Sequence, residues 1–159
     1  MNPLQNIVNH IESIEGDQSV LGSPDGVLLV RKSVDDVRNK VLEIVTSIKS
    51  NKERFVSKKE ADIVIVQGPY GCDLTMAPDQ KTKSEARDFT IEVRFWKRNE
   101  LTRKPEPISS TIEWFPKATA EREILWTNGN GEFHTEDELA SIIVSLYAEQ
   151  IASLVPRRR

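Results

Sequence analysis

The residues with the most chemical promise lie in ILWTNGNGEFHTEDELA, 124–140, where an apolar run meets two glycines and then a helix start. Such a loop holds phosphate when the first backbone N–H groups of the helix are free and the local field is positive. Neither condition is met. Glu136, Asp137 and Glu138 occupy the helix start and Glu132 precedes it, so carboxylates satisfy those N–H groups and repel an anion. Gly129 and Gly131 lack both the third glycine of a dinucleotide fingerprint and the Lys-Ser/Thr of a P-loop. Asn-Gly between apolar residues is instead a hairpin signal. The expectation is a turn over Asn128–Gly131, flanked by Trp126 and Phe133, with positive φ at a glycine and no bound nucleotide or other cofactor.

Cys72, the one cysteine, could act as a thiol nucleophile with His134 as its base. No family signature surrounds it in GPYGCDL, so a small buried or edge cysteine is the expected role. His10 and His134 lie on different elements, without the i, i+4 spacing of a metal pair. A metal set of His134, Glu132 and Glu136 would crowd one helix start, where carboxylates are expected anyway. No catalytic residue and no metal ligand is assigned.

The remaining candidates share one strand face. In FTIEVRFW, 89–96, Phe89, Ile91, Val93 and Phe95 alternate with Thr90, Glu92, Arg94 and Trp96. The apolar set must face a core, which turns Glu92, Arg94 and Trp96 outward. Glu113 and Phe115 share that face from the next strand. Glu and Arg can simply pair across strands there. Trp and Arg, however, are the residues enriched where proteins bind one another. Arg94, Trp96, Phe115, Glu92 and Glu113 are therefore the predicted partner-binding residues, with an aromatic patch at Trp96 and Phe115. The basic stretches KSNKERFVSKK, KRNELTRK and the final RRR read as a helix end, a hairpin tip and a tail, because aromatic residues are not interleaved in them in the way that stacking on bases requires.

The elements that must position these residues emerge from periodicity. Leu4, Ile7, Val8, Ile11 and Ile14 recur at helical spacing, with Gly16 as a stop. VLLVR after Gly26 reads as a strand, and Ser33 with Asp36 as the capped start of a second helix. Val34, Val37, Val41, Ile44, Val45 and Ile48 form its apolar face, and it ends between Ser50 and Phe55. ADIVIV, 61–66, is a buried strand, and Cys72, Leu74 and Met76 alternate as a short edge strand. A mobile loop is expected at about 78–88. STIEWF, 110–115, and EREILW, 121–126, complete a meander. The last helix starts after Thr135 with Glu138 closing a capping box. The predicted fold is α+β, in the order α-β-α-β-β-β-β-α. An antiparallel sheet of four to six strands carries helices on one face, and the strand-helix-strand unit at 27–66 could add a parallel pair.

The totals bound the function. A chain of 159 residues suits a single domain, 1–159, ending in a basic tail at 156–159. The net charge of −3 argues against a specific nucleic-acid partner. The opening MNPLQNIVNH lacks a basic cluster before an apolar run, and no stretch approaches 18 apolar residues, so no membrane partner and a cytoplasmic location are expected. Two function classes remain. The first is a non-enzymatic interaction module (adaptor, inhibitor or assembly subunit) that binds another protein chain, including a copy of itself. The second is a small-molecule binder or enzyme with a pocket between the sheet and the C-terminal helix, using Glu92, Arg94 and Glu113. A cavity of roughly 300 Å3 or more separates the two.

Overall fold

The structure is a computed structural model and describes residues 3–16, 20–47, 55–60, 63–78, 86, 89–119 and 121–156. Among the described residues three α-helices, α1 (Pro3–Gly16), α2 (Gly26–Thr46) and α3 (Glu136–Leu154), accompany seven strands. These are β1 (Val56–Glu60), β2 (Ile63–Gln67), β3 (Cys72–Pro78), β4 (Ile91–Arg98), β5 (Pro105–Pro107), β6 (Ile112–Ala118) and β7 (Ile124–Thr127). They form one antiparallel sheet in the order β1-β2-β3-β4-β6-β7, with β5 paired to the far end of β4. The α+β class and the C-terminal helix are as expected, with more strands than the sequence suggested. Of the loop expected at 78–88, Pro78 ends β3 and Ala86 is buried. Positions 48–54, 79–85, 87–88 and 157–159 lie outside the described residues.

Two expectations change. VLLVR is no strand but the first turns of α2, so β2 has no parallel neighbour. The reason is its continuity with the valines beyond it: Val30, Val34, Val37, Val41 and Val45 are buried along a single helical stripe. Ser33 is consequently a mid-helix residue, and its hydroxyl accepts a buried hydrogen bond from Trp126 Nε1 at 2.9 Å. Cys72–Pro78 is not an edge strand either; it lies between β2 and β4. The edge position falls to β1, a strand of mostly polar residues.

Period-2 alternation builds the core. Val64 opposes Met76, which opposes Val93; Val66 opposes Leu74, which opposes Phe95. All six are buried on one face, the one that α3 packs against. Trp114 on β6 and Trp126 on β7 extend that layer. The last helix opens as expected, with Thr135 Oγ1 accepting from Glu138 N and donating to Glu138 Oε1.

The tie between α3 and the sheet is polar. Tyr147, buried in α3, stacks on Phe95 with centroids 6.1 Å apart and meets Phe55 edge-on at 6.2 Å. Its hydroxyl donates to the Cys72 carbonyl at 2.7 Å, which also accepts from Gly68 N at 3.0 Å. A Cβ on Gly68 would lie 2.0 Å from that hydroxyl oxygen, so no larger residue fits while the bond stands. Tyr147→Phe should cost about 1 kcal/mol in urea denaturation, because the Cys72 carbonyl keeps one donor. Gly68→Ala should cost more. The double variant should cost less than the two singles added together, since the ring without its hydroxyl relieves the closest contact; strict additivity would disprove this coupling.

Candidate functional site

The outer sheet face carries the five residues predicted to bind a partner. Alternation places them as expected: Ile91, Val93 and Phe95 are buried, while Arg94, Glu113 and Phe115 are exposed. Trp96 is half-buried and its indole N–H donates to Thr75 Oγ1 at 2.8 Å on the neighbouring strand. Cross-strand register decides which of them meet. Glu92 stands directly opposite Glu113, and Ile91 opposite Trp114. Arg94 is thus the diagonal neighbour of Glu113. Phe115 falls level with position 90, six residues along β4 from Trp96. At about 3.3 Å per residue that separation is roughly 20 Å. Trp96 and Phe115 do not form one aromatic patch. The face is an extended band, with a tryptophan near one end and a phenylalanine near the other.

A surface that periodicity alone did not reveal lies on α1. Leu4, Ile7, Val8, Ile11 and Ile14 are all exposed, Leu4 by 69% and Ile7 by 54%. Their spacing was legible as an amphipathic helix, and such stripes ordinarily face the core of their own domain. Here the stripe faces elsewhere. Asn9, on the opposite side of the helix, is the α1 residue that lines a cavity of about 280 Å3 with Lys117, Leu125 and Phe133 of the β6–β7 end. Both sides of α1 are exposed along residues 3–11, and Asn9 marks where the helix comes nearest the β6–β7 end. The signal available in the sequence was the sufficiency of the rest: α2, α3 and the sheet fill the core without α1.

A larger open cavity, about 610 Å3, lies at the far end of β4. Tyr70, Lys97, Arg98, Arg103 and Leu154 line it, with Glu100 as its one acidic residue. Arg98 forms its wall, held by the carbonyl of Gly68 at 3.1 Å and by Asp73, 3.3 Å from Nε. Burial pushes the Asp73 carboxyl above its ordinary range, and the Arg98 charge and a Gly68 backbone hydrogen bond oppose that shift. Two residues beside the opening, Tyr70 (φ 57°) and Arg103 (φ 56°), hold the left-handed conformation that side chains other than glycine seldom adopt. Glu92, Arg94 and Glu113 are not part of this lining.

The other sequence candidates resolve locally. Gly129 (φ 90°) and Gly131 (φ 86°) turn the chain as expected, though the loop is longer than a two-residue hairpin. It is closed by paired backbone bonds between Trp126 and His134, both 2.8 Å. Oxygens of Thr127, Asn128 and Asn130 bond backbone N–H groups within it. His134 stands 3.8 Å from both Glu132 and Glu138, and His10 lies on α1, a separate element. Among the described residues no group of three or more His, Cys, Asp and Glu is placed to hold a metal ion. No described helix is long and apolar enough to cross a membrane.

Cys72 is buried, and its own carbonyl is the acceptor of the Tyr147 bond. Burial, aided by the Asp73 charge, pushes its thiol up to about 11. The thiolate is the reactive form, and at neutral pH it is scarce here. Iodoacetamide at pH 7 should label the native chain at least about a hundredfold more slowly than the urea-unfolded chain. Equal rates would show an open, activated thiol.

Comparison with family models, with curated proteins and with solved structures gives no match for this chain.

Proposed function

We propose that the chain is a non-enzymatic interaction module that binds another protein chain. One observation carries this reading: α1 leaves five large apolar side chains exposed at helical spacing. An isolated helix of 14 residues is marginal in water, because its nucleation cost is repaid mainly by packing an apolar face. An exposed apolar stripe of this size marks a surface for contact with another chain. The outer sheet face joins the proposal as a second band, through Arg94, Trp96, Phe115, Glu92 and Glu113. Its extended shape suits a long partner segment better than a single anchoring pocket.

Replacing Ile7 and Ile11 together by lysine should leave the thermal midpoint within about 2 °C of the parent, since neither side chain touches the core. Parent and variant, immobilised at equal density and offered a lysate of the native cells, should then differ. A protein retained by the parent, the chain itself included, should fall at least about tenfold on the variant. Equal retention by both would remove the reading.

The second reading rests on the cavity at the far end of β4. Its volume exceeds the roughly 300 Å3 that a ligand site needs, and three of its walls are cationic. It would take a small anion. Calorimetric titration with citrate should give heat with the parent and none with Arg103→Ala; silence from the parent would exclude it.

A further inference from the structure

We infer that the cavity at the far end of β4 is a preformed site for an aromatic monocarboxylate. This rests on the small-anion reading of that cavity and names the class of ligand.

Backbone strain marks the place. Among the described residues three that are not glycine hold a positive φ, and two of them, Tyr70 and Arg103, line this one cavity. The left-handed conformation is unfavourable for a residue with a Cβ. It persists where surrounding contacts over-determine it, and such positions cluster at ligand sites. Both residues are presented by closed turns. Tyr70 lies in the turn that Gly68 N closes by donating to the Cys72 carbonyl at 3.0 Å. Arg103 N donates to the Asn99 carbonyl at 2.7 Å, inside the hairpin between β4 and β5. Asn99 Oδ1 accepts from Leu101 N at 2.9 Å and from Thr102 N at 3.2 Å, which fixes that hairpin further. A site held in this way spends little of its binding energy on ordering itself.

Charge selects the head group. Arg98 is already answered by Asp73, 3.3 Å from its Nε, and by the Gly68 carbonyl. The other charged groups of the lining are Lys97, Arg103 and Glu100, none of them in an ion pair among the described residues. Two cations less one anion leave a single positive charge to be met. A carboxylate meets it, whereas the two charges of a phosphate ester would exceed it. The planar guanidinium of Arg103 can also donate to both oxygens of a carboxylate at once.

Size and the apolar walls select the body. A volume of about 610 Å3 is that of a site for a drug-sized ligand, so a carboxylate alone would leave most of it to water. Tyr70, 52% exposed, shares the lining with Leu154 and Pro156. An aromatic ring would stack offset on the tyrosine and release water from these apolar walls.

The experiment is calorimetric titration of the full chain at low salt, where exposed charges are least screened. The probes are acetate for the head, benzyl alcohol for the body and phenylacetate for both. Phenylacetate should bind the parent at least about tenfold more tightly than acetate, and benzyl alcohol should give no heat. Tyr70→Asn should bring phenylacetate down to the level of acetate, and Arg103→Asn should weaken both anions. Both variants should keep the circular dichroism of the parent, because asparagine accepts the left-handed backbone. Equal affinity of the parent for acetate and phenylacetate overturns the inference, and heat with citrate then leaves the small-anion reading standing. Silence from both citrate and phenylacetate removes the two together. Benzyl alcohol binding as tightly as phenylacetate shows a site with no use for the charge, and overturns the inference. Phenylacetate binding unchanged in both variants places the ligand elsewhere, with the same consequence. Should a variant misfold, the three probes on the parent still decide.

Discussion

The body of this protein is organised around one carbonyl oxygen, that of Cys72. It accepts the Tyr147 hydroxyl from α3 and the Gly68 amide from its own loop. A buried hydroxyl left without a partner would cost on the order of 1–3 kcal/mol, so the bond fixes where α3 can sit. The ring then stacks on Phe95 in the adjacent strand. Gly68 must remain a glycine for the hydroxyl to pass. The same turn presents Tyr70 at positive φ and gives its Gly68 carbonyl to Arg98. Helix position, strand pairing and the wall of the larger cavity thus converge on the turn from Gly68 to Cys72 and on Tyr147. At the opposite end of the layer, the bond from Trp126 to Ser33 fastens α2 to β7 in the same manner.

What the sequence disclosed, and what it withheld, divides along a physical line. Alternation identified the core face of β4 correctly, because Ile91, Val93 and Phe95 have no other place to go. The capping box at Thr135 and the glycine turn were legible because their signals are contained within a few residues. The run Val27–Val30 was not legible: a short unbroken apolar run suits a strand or a buried helix equally, and only the valines further on break the tie. Ser33 with Asp36 imitates a cap, yet the serine serves a tryptophan 93 residues away. The polar strand β1 and the three-residue β5 carry no periodic signal of their own.

The surface was harder to read than the core for the same reason. Alternation says which side a residue faces but not what stands opposite. Trp96 and Phe115 share a side, as the pattern required, but the pairing of Glu92 with Glu113 sets them well apart. That register depends on how the chain between β4 and β6 is taken up, and β5 takes up part of it against β4 itself. On α1 the pattern was correct and its meaning was missing: periodicity reports an apolar side and not what covers it. The sheet edges tell a related story. β7 is succeeded at once by the return of His134 against Trp126, so the chain pairs with that edge itself. An exposed lysine, Lys58, sits on β1 at the other edge, a residue type that discourages strand addition.

The distribution of indoles has a practical corollary. Trp114 and Trp126 sit in the interior, and Trp96 is pinned on β4 by its bond to Thr75. Helix α1 has no aromatic residue at all. Intrinsic emission therefore watches the sheet and its two packed helices come apart, with Trp126 reporting the seam with α2. The same light carries almost no news of the N-terminal helix, which can gain or lose a neighbour while every fluorophore in the protein keeps its surroundings.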